Sequence, residues 1–577
     1  MASDRPPSSR SGAAPPTAAH APAERLEGES DDGSTAATTV GGKRAWLPEL
    51  TIVDVTLALS GMLFGAQSLF YPFGRDQATH GYIGREWLAG RLPFVSTFDI
   101  KTPGIFFVHM ATFAIFGEHT WGLRVVDLFG CVLTTGFLVA YALTPPGERP
   151  RRGLVGFSVL AVNLLYYGPF DFWNSGQCES FCSVFSIAGM MVALRARPRD
   201  ALVSGLAVGL FTSLAVLFKP PCLWNAIVVF AVFAAQLVRK APSRDLRVRA
   251  ITRAAAASAI GGALPPALVI GYFGAKGALP AMYDVLVVTS RQYVAGGSYA
   301  DSFLQGLQLF SWGILNFNAT LLVSMNALVV GAVLARRRGD RDTFFLYCAC
   351  IGGLVAGFLT VVIQLKFFTY HWSAMLGFLV LAVTALAKGL CERLDAAGKT
   401  YGPKLAVAVL VLAYLTGTAQ VARSLGLAKR ALYYARTGDD EPLGEMWDVP
   451  GFYPWKDAKK TGLWLAQHAG ADERVAVRGF EPQIYFFAKK RYDGRYFWTT
   501  FLTARRFSKN RDHLSREDFA SFKVKPPKWV VALSYEHEGV DAAETYEALG
   551  YVRRVVEGHF VILEDVGKLD FGDEVRW

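Results

Sequence analysis

Charge is what this 577-residue chain has little of. Asp, Glu, Lys and Arg together make up 19% of it, where a soluble domain carries about 25%. Hydrophobic residues reach 52% and the mean hydropathy is +0.27. A soluble multidomain enzyme, which length alone would allow, is thereby excluded. Cysteine is scarce as well. Cys131, Cys178, Cys182, Cys222, Cys348 and Cys350 lie in or beside apolar runs, Cys391 sits in a loop, and residues 424–577 contain none, so no disulfide framework holds that segment. The pairs Cys178/Cys182 and Cys348/Cys350 lack a second ligand pair and read as small core residues. No internal repeat of the transporter kind is present. The net charge of +11 does not point to nucleic acid, because much of the Lys and Arg lies in short loops between apolar runs, a mark of membrane topology.

Residues 1–44 hold almost no large apolar side chain, so they cannot bury enough surface to offset ordering entropy. A disordered cytoplasmic tail is expected there, followed by a membrane domain over 45–423 and an extracytoplasmic domain over 424–577. The run at 52–72 begins too late for a secretory signal and, with Lys43 and Arg44 before it, reads as a signal anchor. Further spans are expected at 121–143, 153–169, 177–194, 201–217, 221–238, 254–275, 312–335, 343–364, 367–387 and 404–422, eleven with the first. The stretch 104–117 would reach only about 21 Å, short of a ~30 Å core, and is expected to lie at the interface. With that assignment the inner loops 144–152, 195–200, 239–253, 336–342 and 388–403 carry 19 Lys and Arg, against 4 in the short outer loops 170–176, 218–220, 276–311 and 365–366. Counting 104–117 as a span would put the basic loops outside, against the positive-inside bias. A multi-pass protein of the bacterial plasma membrane is expected, N-terminus inside and C-terminal domain outside. In that domain, strands are expected at Arg474–Val477, Lys528–Leu533 and His559–Glu564. Helices are expected at 481–490 and 541–549, the second closed by Gly550. The fold class is therefore an α-helical polytopic membrane protein with a small C-terminal α/β domain.

The first outer loop, 73–103, carries the most chemistry. A polar helix is expected from about Gln77 to Ala89, ending at Gly90, with Asp76 at its N-cap. Asp99, Lys101, Asp171, Glu179, Lys219, Arg291, Lys366 and His371 fall at the same outer level, and ionisable groups at span ends tend to mark sites. Snorkelling of Lys219 and Lys366 to the interface and an aromatic belt at Phe367, Phe368, Tyr370 and Trp372 are the plainer alternatives. A carboxylate among cations at membrane level suits glycosyl transfer from a sugar on a lipid phosphate. The cations would neutralise the phosphate leaving group. The carboxylate would take the proton of the attacking hydroxyl, and one base with one attack implies inversion. Tyr82, Arg85, Asp99, Lys101, Lys219, Arg291, Lys366 and His371 are the substrate-binding candidates.

The stretch Asp76–Gly104, continuing through Phe116-Gly117 and Trp121-Gly-Leu-Arg124, resembles the bacterial GT-C membrane glycosyltransferases of the protein O-mannosyltransferase-like and lipid A aminoarabinose transferase-like groups. Asp99-Ile-Lys101-Thr-Pro103-Gly104 looks like the family's Asp…Lys-x-Pro-Gly element leading into a second juxtamembrane helix. Phe218-Lys219-Pro220, Phe368-Thr-Tyr-His371 and Gly479-Phe-Glu-Pro-Gln-Ile-Tyr485 look like further landmarks, and the resemblance covers roughly 50–500. It implies a GT-C-like membrane domain and a polyprenyl-phosphate-sugar donor. It matches Asp76 to the catalytic aspartate and Glu179 to a second acidic position. Many members carry another acid directly after the first, where this chain has Gln77, so no metal or cofactor is expected. The implied partners are the lipid-linked donor, the membrane, and a lipid, glycan or protein acceptor, with no nucleic acid. The competing reading is a transporter or flippase of lipid-linked sugars, which would show repeat symmetry and helices broken near mid-membrane. Here the charges cluster at one face.

Overall fold

The computed structural model describes residues 50–295, 319–364, 366–398, 419–449, 453–503, 511–533 and 542–571. The expected tail at 1–44, the start of the 312–335 span and most of the 404–422 span lie outside the described residues.

Among the described residues, nine helices are long and apolar enough to cross a membrane. Their ends are set by ordinary signals. Helix α1 (Ile52–Gly65) opens on a capping box in which Thr51 and Asp54 satisfy each other's backbone. It is followed by α2 (Arg75–Leu88), α3 (Pro103–Phe116), α4 (Thr120–Ala142), α5 (Leu154–Tyr167), α6 (Cys178–Arg195), α7 (Ala201–Phe218), α8 (Leu223–Lys240) and α9 (Arg244–Ala275). Next come α10 (Ala319–Arg337), α11 (Arg341–Val362) and α12 (Leu376–Ala396), the last entered through a 3-10 turn at Thr369–Met375. In α4 the residues Val126–Leu133 widen into a π-helix, a local departure that recurs near functional sites.

One expected span is shorter than the sequence suggests. Gly168 and Pro169 follow α5, and the helix has 14 residues, the same as α3, so length alone does not separate the two. Packing direction does. The Asp54 carboxylate accepts from the backbone N–H groups of Gly153 and Gly156, each at 3.1 Å, and Gly61 and Gly65 pack against Leu160 and Asn163. Thus α1 and α5 run parallel, in register from their starts. Had α3 reversed the chain across the membrane, they would run antiparallel. A Cβ on Gly61 would come within 2.8 Å of the Leu160 Cα, which is why the close approach needs glycine. The pair α7/α9 is also parallel and tight, with Gly205 and Gly209 against Ala254 and Ser258, a small-xxx-small contact.

Beyond residue 437 the chain forms a four-stranded sheet in the order β1 (Val475–Arg478), β2 (Trp529–Leu533), β4 (Phe560–Asp565), β3 (Tyr551–Glu557). β1 and β2 are parallel, and β4 is antiparallel to both β2 and β3. Helices at Trp455–His468, Gln483–Ala488, Arg511–Val524 and Ala542–Ala548 accompany it. Gly550, at φ +99, follows the last. The strand β3 was not expected. Its Val552-Arg-Arg-Val555 sequence is largely exposed at the sheet edge, so it lacks a buried apolar run, and charged edges of this kind discourage further pairing.

A reporter fused after residue 423 is expected to be active outside the cytoplasm, and one fused at 340 inside. Swapped activities would mean that α3 crosses the membrane after all.

Candidate active site

The carboxylate Asp76 does not cap its helix. Gly74 is the N-cap of α2 and no side chain closes the turn. Asp76 lies in the first turn instead, where the helix dipole favours an anion. One turn on, His80 shares its face, and the His80 Nε2 lies 3.5 Å from the Asp99 Oδ2. Gln77, the noted departure from the resembled pattern, is a donor. Its amide nitrogen reaches the carbonyls of Phe172, Trp173 and Ser175 at 2.8–3.0 Å, and Arg124 donates to Phe172 and Ser175 as well. A carboxylate at 77 would offer these carbonyls no proton.

The segment Asp99–Gly104 is fastened to the break between α7 and α8. Thr102 Oγ1 donates to the Phe218 carbonyl at 2.7 Å, and Gly104 approaches the Phe218 ring so closely that a Cβ would sit 3.3 Å from it. Lys101 and Lys219 are thereby brought to one region. Lys219 has extended backbone between the end of α7 and the Pro220–Cys222 turn. Its ammonium pairs with Glu179, in the first turn of α6, and the His371 Nε2 lies 3.7 Å from the same carboxylate oxygen. Lys219 also faces the Tyr370 ring at 5.6 Å. Lys366 lies 3.0 Å from the centroid of the Tyr293 ring, beside Phe367, whose φ of +47 is uncommon for a residue other than glycine.

Charges in these loops respond to each other. Burial pushes the Asp99 carboxyl up to about 7, Lys101 opposing this and Asp76 adding to it. Burial works against the Lys101 ammonium, yet the facing Asp76, with Cys178, Asp99 and Tyr293, holds its pKa above the usual value. Burial lowers Lys366 to about 7, assisted by Lys101 and Lys219. Burial also keeps His80 neutral, with His109 and the two lysines acting the same way.

Asp76, Asp99, Lys101, Glu179, Lys219, Lys366 and His371, drawn from five separate stretches of sequence, therefore share one electrostatic neighbourhood. Other candidates lie elsewhere. Tyr82 is buried against the C-terminal domain, its hydroxyl exchanging hydrogen bonds with the Tyr492 backbone at 2.9 and 3.1 Å and its ring stacked on Phe497 at 4.1 Å. Arg85 donates to the Lys490 carbonyl at 2.9 Å. Arg291 is exposed, two residues before Tyr293. Tyr293 and His80 belong to the neighbourhood without having been singled out, and Tyr370, read as part of an aromatic belt, belongs to it too. For His80 the signal was its i, i+4 spacing from Asp76 on one helix face.

Gly104, three residues after Lys101, and Phe218, directly before Lys219, wall an apolar groove of about 570 Å³ that runs along Leu214 of α7 to Leu264 and Leu268 of α9. Leu264 and Leu268 are more than half exposed, so the groove opens sideways, on the face a bilayer would cover.

The C-terminal domain grips the loop over residues 73–103. Glu481 pairs with Arg75, the residue before Asp76, whose guanidinium also lies over Trp173, Tyr453 and Phe480. Trp498 donates to the Phe98 carbonyl at 2.9 Å and Arg495 to that of Phe94 at 3.0 Å.

No family model and no curated protein matches the sequence. Among solved structures, the chain is similar to ArnT from Cupriavidus metallidurans bound to undecaprenyl phosphate, at 15% identity over 89% of this chain and 98% of that one with a TM-score of 0.48. It is similar to the apo state of the same protein, at 14% identity over 88% and 97% with a TM-score of 0.47. It is also similar to the archaeal oligosaccharyltransferase AglB from Archaeoglobus fulgidus in complex with an inhibitory peptide and a dolichol-phosphate, at 11% identity over 90% and 75% with a TM-score of 0.42.

Proposed function

We propose that this protein is a membrane glycosyltransferase that moves a sugar from a polyprenyl-phosphate donor to an acceptor hydroxyl on the outer face of the membrane. The observation that carries this reading is an apolar groove walled by Pro103 and Gly104, which follow Lys101, and by Phe218, which precedes Lys219, with Lys101 in turn held by the charge of Asp76. The groove accepts a polyprenyl chain. The lysines, with Lys366, hold the phosphate through charge-assisted hydrogen bonds. Glu179, paired with Lys219 and near His371, fixes the position of that ammonium.

In the reaction the acceptor oxygen attacks the anomeric carbon while Asp76 removes its proton. The bond from the anomeric carbon to the phosphate oxygen breaks, and its electron pair leaves with the polyprenyl phosphate, whose charge the lysines neutralise. A single displacement inverts the anomeric centre. Profiling of lipid-linked sugars in a deletion strain tests this. One polyprenyl-phosphate sugar is expected to accumulate, and an unchanged profile would overturn the proposal.

Neutralising a true phosphate contact among Lys101, Lys219, Lys366 and His371 is expected to weaken donor binding by about 1.5–3 kcal/mol, the value of a charged hydrogen bond. Lys366 adds a pH signature. Its pKa of about 7 means that the ammonium is present below that pH and is lost above it. The donor KM is expected to rise as pH increases through 7, and Lys366→Gln is expected to flatten that rise. Titration of KM against pH in both proteins checks it. If all four single substitutions leave donor affinity unchanged, the phosphate lies elsewhere, with Arg85, Arg91 and Arg291 next in line.

A further inference from the structure

A second cavity lies at the far end of the helix bundle. It measures about 550 Å³ and is walled by Val329, Ala332 and Val333 of α10 and by Phe344 and Ile351 of α11, with Arg336 and Arg337 at its rim. Helix α11 separates it from the active site. Its 22 residues span about 33 Å at 1.5 Å per residue, and Lys366 follows the opposite end. The cavity is therefore not part of the donor groove.

Its charge is unbalanced. The turn between α10 and α11 presents Arg336, Arg337, Arg338 and Arg341, all exposed. The two nearby carboxylates are engaged by other groups. Asp342 pairs with Arg239 and Lys240 from the end of α8, and Asp340 caps α11 by accepting from the Thr343 N–H at 3.0 Å. Among the described residues no carboxylate lies within ion-pair distance of Arg336 or Arg337. The Arg336 guanidinium leans over the Phe344 ring at 5.9 Å, which keeps it at the mouth of the apolar wall. Val329 and Val333 are nearly half exposed, so the cavity faces the bilayer along its length.

We propose that this cavity binds an anionic phospholipid, its acyl chain lying between α10 and α11 and its phosphate held by Arg336 and Arg337. Charge complementarity selects the occupant. A guanidinium pair binds a phosphate with paired N–H donors, an apolar wall takes the chain, and basic pockets between membrane helices suit anionic headgroups. A zwitterionic lipid would fill the same wall but bring its own cation to the rim.

Native mass spectrometry of the purified full-length chain tests the site, with phosphatidylglycerol or phosphatidylcholine supplied in equal amounts. A preference for phosphatidylglycerol of roughly tenfold or more is expected, given the contribution of each basic residue near a headgroup. R336Q/R337Q should bring the two lipids to parity. A332W, which fills the cavity and changes no charge, should reduce binding of both. R247Q/R249Q removes two exposed charges from the start of α9, outside the cavity, and should leave the preference intact. Equal binding of the two lipids by the unmodified protein would overturn the proposal, as would a preference that survives R336Q/R337Q or one that R247Q/R249Q abolishes equally. Loss of the preference on adding millimolar inorganic phosphate would reassign the arginines to a free anion and likewise overturn it.

Discussion

Asp76→Asn should lower turnover by about 10²-fold or more, the usual contribution of a general base, without unfolding the protein. The helix start does not depend on this side chain, because the N-cap of α2 is Gly74. Asparagine keeps the shape and loses only the basicity and the charge that faces Lys101. Correct insertion is checked by size-exclusion profile and thermal melt, and turnover by transfer from the lipid-linked donor. Glu179→Gln should act differently. Its partner Lys219 remains, so the loss should appear mainly in donor KM. If Asp76→Asn transfers normally while Glu179→Gln or Asp99→Asn is inactive, the base is one of those two residues. If all three remain active, glycosyl transfer gives way to the transporter or flippase reading.

The second large effect is expected at the contact between the C-terminal domain and the 73–103 loop. Glu481 and Arg75 are both buried, at 1% and 9% exposure, and Gln483 supports the carboxylate. Removing one member of a buried ion pair costs about 3–5 kcal/mol, because the other charge stays behind in a poor solvent. Glu481→Leu should therefore loosen the domain from α2, raising its protease sensitivity by more than a hundredfold where opening controls cleavage. Turnover should fall with it, since Arg75 directly precedes Asp76. The double variant Arg75→Met/Glu481→Leu replaces the pair by apolar side chains, an exchange that is often neutral or stabilising. It should recover protease resistance and part of the activity. Equal sensitivity of the single and double variants would mean that the loss lies in packing against Trp173, Tyr453 and Phe480 rather than in the ion pair.

The sequence alone determined the membrane character, nearly every span that the structure describes and the three buried strands. These follow from one-dimensional patterns, either hydrophobic length against bilayer thickness or the sign of loop charge. It also exposed the cluster of ionisable residues at one level, since each stands at the end of an apolar run. Tertiary structure decided the rest. It moved the helix start ahead of Asp76, because Arg75 is drawn to Glu481, some 400 residues away, and the helix is entered through Gly74. It gave Gln77 the task of holding the 172–175 turn, since only a donor satisfies those carbonyls. It turned Tyr82 and Arg85 toward the C-terminal domain, and it set Lys219 against Glu179 and His371. Side-chain partners of this kind depend on the approach of elements distant in sequence. No local periodicity encodes that approach, and the free energy that selects it comes from burying and pairing groups only after the helices have assembled.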